Sequence, residues 1–224
     1  MPPRDLLVAF VIVVVFLPVV IIATRIPLRP PASAADAESL TSLPNLISLG
    51  RAASGPFIAA LILAEAWPAA IIATTVSGAS DWADGALARR LGQSSVLGSY
   101  LDPLADKVLI GCVVGALASK GLVPTWLAVL VLGRDVGLVA GMALHRWRML
   151  GWRLPFMRPL LVSKLNTVLQ LALVAGCMGN AAFGVPDPQA LQALEVATAS
   201  TTAASLLAYA WLYASGRMLP LTKA

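Results

Sequence analysis

Residues 81–106 read DWADGALARRLGQSSVLGSYLDPLAD, setting Asp81, Asp84, Gly85, Ala88 and Arg89, then Gly98, Asp102 and Asp106, at fixed intervals. On a helix Asp81 and Asp84 stand three residues apart and Asp102 and Asp106 four apart, so each pair projects from one face. Gly92, Gln93, Ser94 and Ser95 lie between the pairs, which predicts a short connection, antiparallel neighbouring helices and four converging carboxylates. The flanking sequence is apolar. An Asp at the centre of a membrane helix costs about 2.5–3.5 kcal/mol, so four of them would cost on the order of 10 kcal/mol without cations or water to offset the charge.

Four converging oxygen donors suit hard divalent cations, Mg²⁺ or Mn²⁺, which also prefer phosphate oxygens. Two such ions per site would clamp a diphosphate and stabilise an in-line displacement at phosphorus. Gly85 and Ala88 remove bulk where a flat base or a phosphate approaches the backbone, and Arg89 is placed to meet a phosphate.

Composition puts this chemistry in a membrane: 58% of the 224 residues are hydrophobic, 12% are charged, and the mean hydropathy is +0.83. Apolar stretches near the ~20 residues that span a bilayer fall at Leu6–Ala23, Leu46–Leu63, Ala69–Ala88, Leu97–Ala118, Trp126–His145, Val168–Ala182 and Ala193–Tyr213. The expected fold is an all-α integral membrane protein, a six-transmembrane-helix core bundle plus one N-terminal transmembrane helix. Pro27, Pro30 and Pro31 mark a Pro/Ala-rich linker, giving an anchor at 1–24, a linker at 25–42, a core at 43–218 and a tail at 219–224. Ala32-Ser33-Ala34 would suit a cleaved signal, but the preceding apolar run exceeds the ~7–15 residues of a signal core and favours a retained anchor.

If the helices alternate, Arg25, Arg29, Arg89, Arg90, Arg146, Arg148, Arg153, Arg158, Arg217 and Lys223 gather on one face, against Arg4 and Lys120 on the other. The basic face is then the cytoplasmic, matrix or stromal one, and the four Asp residues sit toward it. A basic rim around an acidic centre suits a polyanionic substrate and anionic lipid headgroups, although each of these Lys and Arg residues has the plainer role of fixing topology.

The pattern D-x-x-D-G-x-x-A-R-x(8)-G-x-x-x-D-x-x-x-D resembles that of the CDP-alcohol phosphatidyltransferases at every fixed position, a coincidence with odds on the order of 10⁻¹⁰ in a random stretch. The resemblance covers Leu43 to Met218 and not the N-terminal helix. Pro44-Asn45-Leu46-Ile47-Ser48-Leu49-Gly50-Arg51 is similar to the family's first core helix, with Ser48 where Thr is common. Four further words are most similar to the eukaryotic-type (CMP-forming) cardiolipin synthase branch: the run from Gly98 to Lys107, Gly133-Arg134-Asp135-Val136, the run from Ser163 to Gln170, and Thr201-Thr202-Ala203-Ala204-Ser205. Phosphatidylglycerolphosphate synthases share several of them.

The resemblance implies transfer of a phosphatidyl group from CDP-diacylglycerol to phosphatidylglycerol, giving cardiolipin and CMP. It assigns the two metals to Asp81, Asp84, Asp102 and Asp106, with Asp106 also the general base on the acceptor hydroxyl. Gly85, Ala88, Arg89 and Gly98 would shape the cytidine and diphosphate site, with Asn45 and Arg51 near the nucleotide or phosphates. Arg134, Asp135 and Lys164 would lie near the acceptor headgroup, while Arg134 and Lys164 have an alternative as partners of buried carboxylates. The implied setting is the mitochondrial inner membrane with the site on the matrix side, among membrane lipids and with no nucleic-acid partner.

Other conspicuous residues take plainer readings. Cys112 and Cys177 lack ligand spacing and read as small buried hydrophobes. His145 reads as interfacial, and Trp126, Trp147, Trp152 and Trp211 as an aromatic belt. Gly111, Gly115, Gly137 and Gly141 permit close helix packing or a homodimer. The loop Leu150–Pro159 would lie at headgroup level and guide lipid entry. A cation-coupled transporter would spread charges along several helices, whereas these acids are confined to two adjacent segments. A catalytically dead scaffold is disfavoured because no motif position is substituted. Phosphatidylglycerolphosphate synthase, using glycerol-3-phosphate, and phosphatidylinositol synthase are the enzyme alternatives.

Overall fold

The computed structural model describes residues 43–91, 98–148 and 160–215. The expected anchor (1–24), linker (25–42), tail (219–224) and interfacial loop (150–159) lie outside them. Six helices follow one another: α1 (Leu43–Leu63), α2 (Trp67–Leu91), α3 (Gly98–Ser119), α4 (Thr125–Arg148), α5 (Leu161–Phe183) and α6 (Pro188–Ala214). All regular structure among the described residues is helical. At 1.5 Å per residue, helices of 21 to 27 residues run about 32–40 Å, against roughly 30 Å of bilayer hydrocarbon. Among the described residues α5 alone is both long enough and apolar enough over 18 residues to cross a membrane.

Two helices start five or more residues earlier than hydropathy predicts. α5 begins at Leu161 rather than Val168, because Ser163, Lys164 and Asn166 lower the apolar score without breaking a helix. α6 begins at Pro188 rather than Ala193, set by local chemistry. Asp187 accepts the Ala190 N–H at 3.2 Å as an N-cap, and Pro188 fills the first helical position, where no N–H is needed.

The chain divides into two compact units, before and after the Leu122–Val123 bond. In the first, α1 packs against both α2 and α3, burying Ile58, Ile62, Ala70, Val108, Val113 and Leu117. The closest approach is at Gly55, where an added Cβ would stand 3.1 Å from the Leu109 Cα and 3.3 Å from the Val108 carbonyl oxygen. Two ion pairs, Arg51–Asp106 at 2.9 Å and Glu65–Lys120 at 2.7 Å, each join residues 55 apart in sequence. A constant offset means that α1 and α3 run parallel in a single register over about 20 Å.

Both helices end in the same way. Ala66 N–H reaches the Leu61 carbonyl and Glu65 N–H the Ile62 carbonyl, while Leu122 N–H reaches Leu117 and Gly121 N–H reaches Ala118. These are Schellman caps, with Glu65 (φ 60°) and Gly121 (φ 76°) in the left-handed position. Glu65 occupies a site that normally favours glycine, and its carboxylate accepts a hydrogen bond from the Lys120 ammonium of the neighbouring cap. That bond and the Lys120 charge hold the Glu65 carboxyl below its ordinary range. Its contribution is therefore present above the usual Glu pKa and is lost as pH falls through the lowered value.

In the second unit α6 packs against α4 and α5. α5 and α6 form an antiparallel hairpin: Asn166 meets Thr201 and Thr202, the Leu169 carbonyl meets Thr198, and Gly176 lies against Leu191. The turn is closed by Gly184 (φ 71°), whose N–H reaches the Asn180 carbonyl, and by Asn180 Nδ2 donating to the Pro186 carbonyl at 2.7 Å. The buried residues of α6 are Thr198, Thr202 and Ser205, all hydroxyl-bearing, while Val196, Leu207 and Trp211 face outward. α5 likewise buries Asn166 and Gln170 and exposes Leu161, Leu165, Val168 and Leu171. Along α6 and the first half of α5 polar residues are inside and apolar ones outside, the reverse of a water-soluble hairpin, while further along α5 Leu173, Val174, Cys177 and Met178 are buried.

The plainer readings fare as follows. Cys112 and Cys177 are both buried, as expected. Trp126 and Trp211 are more than half exposed near helix ends. Gly111 and Gly115 are buried, but a Cβ at Gly137 would meet nothing within 4 Å among the described residues.

The α1–α3 contact makes Gly55→Leu the test of the first unit. The larger side chain is expected to force the two backbones apart and cost about 1–3 kcal/mol. That cost reads as a lowered thermal midpoint in detergent, and an unchanged midpoint would contradict the packing.

Candidate functional site

The first candidate cluster is built on α1. Ser48, Arg51 and Gly55 recur at helical spacing and form the polar and small face that meets the other helices of the unit. Ser48 and Arg51 are buried. Ser54 donates to the Arg51 carbonyl at 2.7 Å and shares a hydrogen bond with Ser77 of α2 at 2.8 Å. The Arg51 guanidinium crosses to α3, where Nη1 donates to Asp106 Oδ1 at 2.9 Å. The pair is asymmetric: the Arg51 side chain is 1% exposed and that of Asp106 50%.

Asp106 thus presents a hard oxygen donor at an open position, the chemistry a divalent cation requires. The backbones of Asp81, Asp84, Gly85, Ala88 and Arg89 are helical within α2, and those of Gly98 and Asp102 within α3. The expected convergence of the Asp81, Asp84, Asp102 and Arg89 side chains lies outside the described side chains, as does the expectation for Asn45. Among the described residues no three metal-ligating side chains form a group. The structure therefore brings Arg51 and Asp106 together, two residues expected at different parts of the site.

The second cluster gathers around Arg134 of α4, whose side chain is 2% exposed. Nη1 donates to Asp135 at 2.6 Å, and Nη2 donates to Ser163 of α5 at 2.6 Å and to Ser205 of α6 at 3.1 Å. Arg134 pairs here with the buried carboxylate of Asp135, and its bonds tie three helices together. Lys164, by contrast, is exposed in the first turn of α5.

One turn further along α5, Asn166 is fully buried, with both Thr201 and Thr202 hydroxyls on its amide at 3.0 and 2.7 Å. Each hydroxyl has one proton, and each also reaches a carbonyl of its own helix, Thr202 to Thr198 at 2.7 Å and Thr201 to Ala197 at 3.0 Å. The consistent assignment has the hydroxyls donating to those carbonyls and the Asn166 amide donating both N–H groups to the hydroxyl oxygens. This orientation also partners an Asn166 Nδ2 that is otherwise orphaned in the interior.

The three words Gly133-Arg134-Asp135, Ser163 to Gln170 and Thr201 to Ser205 therefore meet in one polar seam. Sequence reasoning missed Ser163, Asn166, Thr202 and Ser205 as members of that seam, and Ser54 and Ser77 beside Arg51. The available signal was polar residues at three- and four-residue intervals inside apolar helices.

The family model described as CDP-alcohol phosphatidyltransferase matches residues 41–214 of this chain. The chain is 44% identical over 191 residues to the chloroplastic CDP-diacylglycerol–glycerol-3-phosphate 3-phosphatidyltransferase 1 of Oryza sativa, an alignment covering 79% of this chain and 58% of the relative. It is 37% identical over 185 residues to cardiolipin synthase (CMP-forming) of Rattus norvegicus, covering 77% and 61%, and 35% identical over 185 residues to that of Homo sapiens, covering 77% and 62%. The chain thus spans 58–62% of the length of these relatives.

The surroundings of Arg134 and of Lys164 should respond differently to mutation. Asp135→Asn removes the carboxylate charge beside the buried Arg134 and is expected to cost about 3–5 kcal/mol, read as a strongly lowered thermal midpoint. Lys164→Gln, on an exposed position, is expected to stay within about 0.5 kcal/mol of the parent. The reverse order would contradict the assignment of Arg134 as the buried tie.

Proposed function

Because this chain belongs to the CDP-alcohol phosphatidyltransferase family, we propose that it is an enzyme that transfers a phosphatidyl group from CDP-diacylglycerol to phosphatidylglycerol, releasing CMP and forming cardiolipin. The observation that carries this reading is Asp106, a half-exposed carboxylate at the last position of the full family motif, held by a buried guanidinium. Asp106 is the proposed general base, accepting the proton of the acceptor hydroxyl as that oxygen attacks the phosphorus bearing diacylglycerol. Asp81, Asp84, Asp102 and Asp106 would hold two divalent cations, Mg²⁺ or Mn²⁺, which when bound stabilise charge on the diphosphate and the leaving CMP. Arg89 meets a phosphate, and Gly85, Ala88 and Gly98 admit the nucleotide close to the backbone. Asn45 lies near the nucleotide in this reading.

For the acceptor, the support is the similarity of the seam-forming words to the cardiolipin synthase branch. Arg134 and Asp135 are proposed to hold the start of α5 in place, where the exposed Lys164 meets the headgroup phosphate. A second reading has an observation of its own: the rice relative, named as a glycerol-3-phosphate 3-phosphatidyltransferase, is more similar at 44% than the rat and human cardiolipin synthases at 37% and 35%. In that reading glycerol-3-phosphate replaces phosphatidylglycerol.

We place the chain as a multi-pass membrane protein on its composition, on the spanning length of its helices and on the apolar exterior of α5 and α6. Residues 43–218 are proposed to act as one core behind an anchor at 1–24 and a linker at 25–42, in the mitochondrial inner membrane with the site facing the matrix. A homodimer remains a proposal resting on the Gly137-x-x-x-Gly141 spacing.

Purified protein in detergent, given CDP-diacylglycerol with Mn²⁺ or Mg²⁺, is expected to release CMP with phosphatidylglycerol as acceptor and to form cardiolipin by mass spectrometry. Excess EDTA should stop turnover. Release with glycerol-3-phosphate alone would establish the second reading, and full activity in EDTA would remove the metal assignment.

A further inference from the structure

We propose that Arg51 is a positioning residue for Asp106 and does not itself contact the phosphates of the nucleotide; this inference rests on the phosphatidyl-transfer reading above. The exposures of the pair decide between the two roles. A guanidinium whose side chain is 1% exposed offers no surface to an incoming diphosphate, whereas the carboxylate it holds is half open. A molecule arriving at this place meets Asp106, with Arg51 enclosed by its own fold.

The geometry behind the pair is fixed by backbone. One turn beyond Arg51, Gly55 lets α1 approach the Leu109 Cα, one turn beyond Asp106 on α3. The Glu65–Lys120 pair at the far end repeats the same offset, so the register cannot slip without breaking both ties. Ser54 anchors the Arg51 carbonyl and joins it to Ser77 of α2. The guanidinium is thus presented from a rigid frame, and its bond to Oδ1 sets the orientation of the carboxylate.

Simple adhesion of α1 to α3 would not call for this residue. An apolar side chain of similar size would pack the helices without the desolvation cost of a buried guanidinium. Orientation is what such a pair supplies. A displacement of about 1 Å at a reacting group costs on the order of 100-fold in rate.

The test uses purified full chain in detergent with Mn²⁺, CDP-diacylglycerol and the acceptor that supports turnover in the parent. Arg51→Gln is expected to lower kcat about 100-fold while the KM for CDP-diacylglycerol stays within about threefold, and Arg51→Lys is expected to recover about tenfold of the loss. Adding Arg51→Gln to Asp106→Asn is expected to slow the residual rate by less than Arg51→Gln slows the parent, because the Arg51 effect runs through that carboxylate. A KM raised about tenfold with kcat retained would overturn the inference in favour of phosphate contact, as would two substitutions whose rate effects simply multiply in the double variant. Should Arg51→Gln fail to fold, the kcat and KM of Arg51→Lys carry the same distinction. A parent that releases no CMP with any acceptor overturns the transfer reading and the inference with it, whereas an active parent with an unimpaired Arg51→Gln overturns the inference alone.

Discussion

The contact on which the first unit depends is the close approach of α1 to α3 at Gly55, with the Arg51–Asp106 pair one turn away. Neither side chain works without the other feature. A Cβ at position 55 would press on the α3 backbone and separate the helices, and a longer gap would leave a buried guanidinium without its carboxylate. Breaking such a pair by removing one partner typically costs about 3–5 kcal/mol, far more than an exposed pair contributes. A residue expected to carry chemistry is therefore also part of what fixes the helix register.

The second unit solves the same problem with hydroxyls and amides. Between helices surrounded by lipid there is no hydrophobic force to hold them together, so association rests on close packing and interhelical hydrogen bonds. The α5–α6 hairpin fits that rule. Its buried α6 residues are Thr198, Thr202 and Ser205, and its outer faces carry Val168, Leu171, Val196 and Leu207. Arg134 extends the seam to α4, which makes one buried charge pair the junction of three helices.

Much of this was legible in the sequence, and the gaps have physical causes. Six core helices could be placed by hydropathy because each carries a predominantly apolar stretch of about twenty residues. The starts of α5 and α6 could not, since Ser163, Lys164 and Asn166 look like loop residues to a hydropathy scale, and the Asp187 cap is a local hydrogen bond. Asp106 stood out from motif spacing alone. Its partner did not, because a 55-residue separation between Arg51 and Asp106 carries no periodic signal; it emerges only when two parallel helices are brought into register. The Arg134 seam was visible as three words of sequence, but their convergence depends on an antiparallel hairpin that hydropathy does not encode.

The proposed function is that of a membrane-embedded transferase whose motif carboxylates would hold divalent cations beside a base that Arg51 would support. Its central claim is that the aspartates act as one metal-binding set, which can be read without turnover. Titrating the purified protein with Mn²⁺ and counting bound ion by electron paramagnetic resonance tests it most directly. The account predicts two ions per chain, with binding weakened by about tenfold or more in Asp102→Asn, the scale of loss seen when a metal site is disturbed. Failure to bind Mn²⁺, or equal binding by parent and variant, would contradict it.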